Sequence, residues 1–451
     1  MKRRTAWGLM ASVVFGLVSA VELGWSHDRP DDRHDHQTQQ RLTPFDREVN
    51  KHGERLIAEG RRIFRFDTFG SEAFWGGTLR LHEAIAGSRN GGVGPGVSPK
   101  SALSVGLKVD ADALPDPLKH ELRRGRVNLD DPAVTVALIR LNAVVGVKGI
   151  FDGNRIKSIG IQCSLCHSQV DDSLAPGIGR RLDGWANRDL DVGAIISLAP
   201  NLRPFADLLG VDVGTVRKVL TSWGPGKFDA LLDKDGKAFR PDGKSGATLI
   251  PPAFGLAGVN LHTWTGFGSV PYWNAFVAVT EMQGSGTFFD PRLNDRDRYP
   301  IAVRSGEDDV RRAPDLVTSK LAALHLYQLA IPAPEPPEGS FDKRAASRGK
   351  RVFEGRARCA NCHVPPLFTE PGHNLHTPAE MGIDSFQADR SPTLAYRTAP
   401  LAGLWSHQKG GFYHDGRFAT LRDVIEHYDR HFRLGLNEQE KGELVEYLKS
   451  I

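Results

Sequence analysis

The sequence predicts a mainly α-helical protein of two domains, each built around one cysteine motif, behind a long loop-rich N-terminal extension. Three observations carry this reading. All four cysteines fall in two copies of one pattern, Cys163-Ser164-Leu165-Cys166-His167 and Cys359-Ala360-Asn361-Cys362-His363. A proline-rich stretch from Ile331 to Ser340 separates the copies; it has no apolar period and reads as an extended, semi-stiff connector. Apolar residues recur at helical spacing after the second copy, as at Leu444, Val445, Leu448 and Ile451.

Taken in order, residues 1–20 read as a secretory signal. Lys2, Arg3 and Arg4 precede a mostly apolar run from Thr5 to Ser19, and Val18-Ser19-Ala20 resembles a small-residue cleavage site. The apolar core is shorter than the ~20 residues of a membrane span. The expected location is therefore the periplasm, with no membrane span in the mature protein; left uncleaved, the segment would be a tether. Residues 21–43 form a polar tether, since His27 to His36 offers no apolar residue to bury. Its histidines are also a weak metal-binding pattern. Residues 44–150 are an N-terminal extension of unassigned role, with a Gly/Ser-rich loop from Gly87 to Lys100.

Residues 151–330 hold the first motif. An apolar helix is expected from Asp131 to Val145, with a turn at Gly153-Asn154 before Cys163. Residues 331–340 are the linker and 341–451 the last domain. There a basic helix from Lys343 runs to Cys359, with Gly349 and Gly355 small enough for close approach to another backbone. Asn437 is a good N-cap for the final helix, with Glu440 as its capping-box partner. Charge is nearly balanced, 58 Lys+Arg against 54 Asp+Glu, which gives no electrostatic footprint for nucleic acid.

C-x-x-C-H is the attachment pattern for c-type haem. Two thiols about one helical turn apart can form thioethers to the two vinyl groups of one porphyrin, and the next histidine is placed as an axial iron ligand. Two covalently bound haem c groups are expected, on Cys163, Cys166 and His167 and on Cys359, Cys362 and His363. A zinc site shared by two half-sites, or a disulfide within C-x-x-C, would use the same cysteines without explaining a histidine after each pair.

A helix entering C-x-x-C-H and a terminal amphipathic helix resemble the cytochrome c fold, so the expected class is two cytochrome c-like haem domains. Residues 345–451 show a more specific likeness. Arg397 to Trp405, followed by Gly411-Phe412-Tyr413-His414-Asp415-Gly416, resembles the C-terminal domain of the bacterial dihaem cytochrome c peroxidase family, which includes the methylamine-utilisation dihaem type. The resemblance implies that the C-terminal haem transfers electrons and the first reacts with peroxide. It also implies a second axial ligand fourteen residues after His414, which here is Tyr428; ordinary family peroxidases carry methionine there and the methylamine-utilisation type carries tyrosine.

Helical geometry points to the same side chain. Leu421, Val424, Ile425, Tyr428 and Phe432 form one apolar stripe, with His427 facing away. Met381 is the rival soft ligand. His414 is read as structural, with ligation its alternative. The first haem departs from the pattern, because no histidine occurs from Ser168 to Leu261. Its iron is either open to a small oxidant or closed by a remote group, His262.

Peroxide cleavage needs a proton shuttle. The resemblance implies a glutamate paired with methionine downstream of a tryptophan, and Glu281-Met282 follows Trp264 and Trp273. A surface role for Glu281 is the alternative. Trp185 and Trp405 are candidates for a tryptophan between the haems. Calcium is another family trait; Asp233-Lys234-Asp235-Gly236 places carboxylates in a loop without the full calcium-loop pattern.

The expected function is a periplasmic dihaem oxidoreductase that reduces hydrogen peroxide with electrons from a small redox donor protein. A non-catalytic dihaem electron carrier, or an oxygenase resembling the dihaem rubber oxygenases, would fit the same motifs.

Overall fold

Helices are the main regular structure of residues 42–451, the part described in the computed structural model. Residues 1–41, with the expected signal and nearly all of the expected tether, lie outside the described residues. Strands occur only in five two-stranded sheets among the described residues. No helix among them is long and apolar enough to cross a membrane.

Residues 44–150 are more helical than the loop-rich reading. They open with the 23-residue helix Pro44–Phe66 and include the helices Leu81–Ala86, Pro99–Ser104, Asp116–Arg123 and Pro132–Arg140. Charged residues hide the first helix in the sequence, because few of its side chains are buried; Ile63 and Phe64 are fully so. Gly60 brings its backbone against another helix: a Cβ there would lie 2.0 Å from the Ala323 carbonyl oxygen.

The helix expected from Asp131 forms over Pro132–Arg140, with the Asp131 carboxylate accepting from the Ala133 N–H at 2.9 Å. It stops early because Asn142 adopts a left-handed conformation, φ +54°. Beyond it, the Ala143 carbonyl accepts from Asp110 N–H and the Val145 N–H donates to the Lys108 carbonyl. Gly153-Asn154 is the turn of the antiparallel hairpin Val147–Asp152 and Arg155–Ile161, which delivers the chain to Cys163.

The division expected at residue 150 thus falls inside a strand, and packing does not respect it. One apolar core joins Trp75, Leu79 and Ile139 to Ile159, Val192 and Leu220. The apolar faces of the early helices are covered by later ones, so His52–Ile451 is one compact unit.

Downstream of the linker the local signals hold. Asn437 caps the helix Glu438–Lys449 in a capping box with Glu440. This helix packs against Lys343–Glu354, and both contribute to a core of Phe353, Leu421, Leu444 and Leu448. Gly349 is the point of closest approach, where a Cβ would sit 2.0 Å from the Glu443 carbonyl oxygen. Alanine would gain about 1 kcal/mol of helix propensity, but forcing two backbones apart costs about 1–3 kcal/mol. Gly349→Ala is expected to destabilise, seen as a lower denaturant midpoint with an unchanged slope.

The linker is extended as expected and is docked on the protein. Ile331 carbonyl accepts from Gly255 N–H, and Trp405 Nε1 donates to the Pro334 carbonyl, both at 2.9 Å. A buried ion triad ties residues 341–451 to the rest: Arg390 lies 2.8 Å from Asp229 and 2.7 Å from Asp235, with all three side chains at most 1% exposed.

Candidate functional site

The two motifs line two separate cavities. Cys163, Cys166 and His167 border one of about 810 Å³. Cys359, Cys362 and His363 border another of about 220 Å³. The first motif forms the short helix Ser164–His167 directly after the hairpin. Gly146, at φ +82°, lets the chain ahead of the hairpin press on it; a Cβ there would be 2.2 Å from Leu165 Cα. The second motif follows a left-handed Arg358 at the end of the helix Lys343–Glu354.

The four cysteines are free, which leaves the disulfide alternative without support. Burial pushes the thiols of Cys163, Cys166 and Cys359 up to about 12, so they are protonated. The two cysteine pairs border different cavities, and no candidate metal cluster among the described residues joins them, so they do not share a zinc site.

Both motif histidines are neutral, held down by burial, His167 to about 4. His363 Nδ1 lies 2.9 Å from the Phe368 carbonyl. A carbonyl only accepts, so Nδ1 carries the proton and Nε2 keeps its lone pair, the arrangement that orients a metal-ligating imidazole. His167 Nδ1 is buried with no hydrogen bond among the described residues.

Two arginines test whether an anionic prosthetic group fits. Arg188 lines the second cavity and Arg397 lines both. Arg188 is buried and Arg397 half-buried, and each keeps buried guanidinium nitrogens without partners among the described residues: Nε and Nη1 of Arg188, Nη1 of Arg397. Burial without a counter-carboxylate pushes both down to about 10. A buried cation normally has an anionic partner. The carboxylates of a porphyrin are the missing complement, so the residues present fit haem.

The first cavity also holds a buried charge cluster. Lys234 is fully buried, with Nζ 2.8 Å from Asp233, 3.1 Å from Glu281 and 2.7 Å from Glu307. Burial alone would lower the ammonium, but the three carboxylates hold it well above its ordinary value. Burial and neighbouring Asp233 push the Glu281 carboxyl well up, and burial pushes Asp233 up to about 6. One ammonium cannot neutralise three buried carboxylates, so the cluster retains a proton near neutral pH.

No established family profile matches the chain. It is 26% identical over 274 residues to methylamine utilization protein MauG of Methylorubrum extorquens, an alignment covering 50% of this chain and 75% of the relative. This relative bears out the expected resemblance to the dihaem cytochrome c peroxidase family. Solved structures similar to this chain include Kuenenia stuttgartiensis hydrazine synthase, at 19% identity over 49% of this chain and 86% of that chain, TM-score 0.27. Another is a MauG-like protein associated with microbial copper homeostasis, at 17% identity over 47% and 75%, TM-score 0.31.

Glu281 lines the first cavity with its side chain 7% exposed, and is therefore no surface glutamate. His262 lines the same cavity; its Nε2 lies 3.0 Å from the Val259 carbonyl. Tyr428 and Met381 both line the second cavity. His427 turns away as the helical stripe requires, its Nε2 donating to the Met381 carbonyl at 2.8 Å. His414 stacks on Tyr396 at 4.9 Å and lies 3.6 Å from Asp384, held by packing on the cavity wall.

The tryptophan expectation needs correcting. Trp185 and Trp405 pack edge-to-face on each other at 5.4 Å, and neither lines either cavity. Trp264 lines both, its Nε1 donating to the Leu249 carbonyl at 2.8 Å. Spacing from Glu281 pointed toward it, but only the fold brings it between the motifs. Arg188 and Glu307 carried no sequence signal, while Arg397 and Lys234 stood in stretches singled out for other reasons. The carboxylates of the calcium-loop segment face the chain's own cations, Asp233 on Lys234 and Asp235 on Arg390.

Buried histidines give the protein an acid-labile face. Burial pushes His407 down to about 3 and His414 down to about 4. Both stay neutral when folded but take up protons near pH 6.5 when unfolded. Their contribution is present above pH 6.5 and is lost as pH falls toward the folded values, about 1.4 kcal/mol per pH unit for each. The thermal midpoint is expected to fall between pH 7 and pH 5.

Proposed function

We propose that the protein is a periplasmic peroxidase carrying two haem c groups. Cys163 and Cys166 would hold one and Cys359 and Cys362 the other, with His167 and His363 as axial ligands. The observation that carries this reading is the pair of motif-lined cavities sharing Trp264 and Arg397 in their walls. Arg188 and Arg397 would pair with porphyrin carboxylates. When bound, haem supplies electron storage and peroxide cleavage. Electrons from a small redox donor protein would enter on the His363 side and cross to the His167 side past Trp264.

Glu281 would take the proton from the near oxygen of hydrogen peroxide and return it to the far one. Lys234 would fix its position, and Asp233, pushed up to about 6 by burial, would share its proton. The buried Glu281 cluster on the wall of the first cavity favours reaction with a small oxidant there over a fully closed electron carrier. We assign Tyr428 as the second ligand on the His363 side. Burial pushes its phenol up to about 12, so ionisation there requires a positive metal centre. Tyr428→Phe is expected to change the optical spectrum of the second haem and leave the first unchanged; an unaltered spectrum would transfer the role to Met381.

The test of the whole reading is the purified holoprotein. Its mass should exceed the mature polypeptide by two porphyrins, its spin-resonance spectrum should contain a high-spin signal at rest or after half-reduction, and peroxide should change it. Two low-spin signals indifferent to peroxide would reduce the protein to an electron carrier.

A further inference from the structure

Two cavities that take the same group differ severalfold in volume, about 810 Å³ against about 220 Å³. The larger has a wall that the smaller lacks. The helices Val192–Ser197 and Val213–Thr221 supply Ile196, Val216, Val219 and Leu220, all buried and all on the cavity. These helices are locked together, since a Cβ on Gly193 would meet the Leu220 carbonyl at 1.9 Å. The wall is therefore fixed, and it cannot collapse to fill the space.

Besides the charge cluster around Glu281, two indole donors face the cavity. Trp223 and Trp273 border the cavity, and the Nε1 of each is buried without an acceptor among the described residues. An indole N–H can only donate, and a buried donor left unpaired is costly. Hydrogen peroxide needs none of this apolar room. A molecule with an apolar body and an oxygen acceptor matches both the wall and the donors.

We propose that the first cavity binds small organic hydroperoxides with an apolar body and that these are reduced there to alcohols. The proposal rests on the peroxidase reading above. The O–O bond breaks, two electrons come from the donor protein, and two protons arrive by way of the Glu281 cluster; the products are the alcohol and one water.

The experiment uses the reduced holoprotein under argon with cumene hydroperoxide, and with hydrogen peroxide in parallel. Product 2-phenyl-2-propanol is counted by chromatography. Binding of that alcohol to the resting holoprotein is measured by calorimetry, a readout independent of turnover. It is expected to bind at ~1 mM or tighter and to form in proportion to the electrons supplied. Leu220→Trp should weaken its binding at least tenfold and lower the ratio of cumene hydroperoxide to hydrogen peroxide turnover by at least tenfold. Val216→Phe is the milder filler should Leu220→Trp fail to take up haem. Hydrogen peroxide turnover with neither binding nor reduction of the organic compounds would overturn the proposal and spare the peroxidase reading. Binding of the alcohol, blocked by the fillers, with no turnover of either peroxide would overturn that reading and with it the reduction step. Binding that the fillers leave unchanged would place the alcohol elsewhere and overturn the proposal.

Discussion

Glu281→Gln is expected to lower peroxide turnover by about 10²–10⁴-fold, the usual contribution of a positioned acid–base group, with both haems still attached. Glutamine keeps the size of the side chain and leaves an amide oxygen to accept from Lys234, whose Nζ lies 3.1 Å from Glu281 in the native protein. What it removes is the exchangeable proton. Three carboxylates share one buried ammonium in this cluster, so losing one acid also lowers the charge imbalance and should not destabilise the fold. Glu281→Asp should retain part of the activity, because the acid survives at a shorter reach. The basic limb of the wild-type pH–rate profile should report the raised pKa of the cluster as a coupled unit. Turnover at wild-type level in Glu281→Gln would end the shuttle assignment.

Arg390→Met should cost about 3–5 kcal/mol of stability, the typical penalty for removing one partner of a buried ion pair. The guanidinium is 1% exposed and bonds both Asp229 and Asp235 at 2.7–3.2 Å. Without it, two carboxylates remain buried with no counter-ion. Burial already pushes Asp229 up despite Arg390, so the orphaned pair would protonate or draw in water. Replacing all three with Arg390→Met, Asp229→Asn and Asp235→Asn should recover part of the loss, since the cost lies in the unpaired charges more than in the lost attraction. Denaturant unfolding of the holoprotein measures both. A loss below about 1 kcal/mol, the range of a surface pair, would show that the triad does not brace residues 341–451 against the rest.

How much of this was legible in the chain differs by region. Around residues 341–451 the signals were local. Asn437 and Glu440 specify a capping box through side chains three positions apart, and Gly349 marks a close helix crossing because no other residue fits there. Residues 44–150 were read as loop-rich because their helices are short or highly charged. The helix Pro44–Phe66 buries only Gly60, Ile63 and Phe64 among its residues, too narrow a stripe to produce a strong period. That residues on either side of residue 150 share a core was not legible, because neighbours in space need not be neighbours in sequence: Leu79 packs in one cluster with Leu220.

The sequence by itself determined the pair of C-x-x-C-H motifs, the helical caps and the stripe that turns Tyr428 inward and His427 outward. Each of these depends on residues within one or two helical turns, where covalent spacing settles the geometry. The tertiary structure alone decided that Trp264, and not Trp185 or Trp405, stands on both cavities, that Glu281 is buried beside Lys234 and Glu307, and that Arg188 and Arg397 wait in apolar surroundings for an anionic partner. Those pairings join segments tens to hundreds of residues apart, and only burial in a shared core brings them within reach of one another.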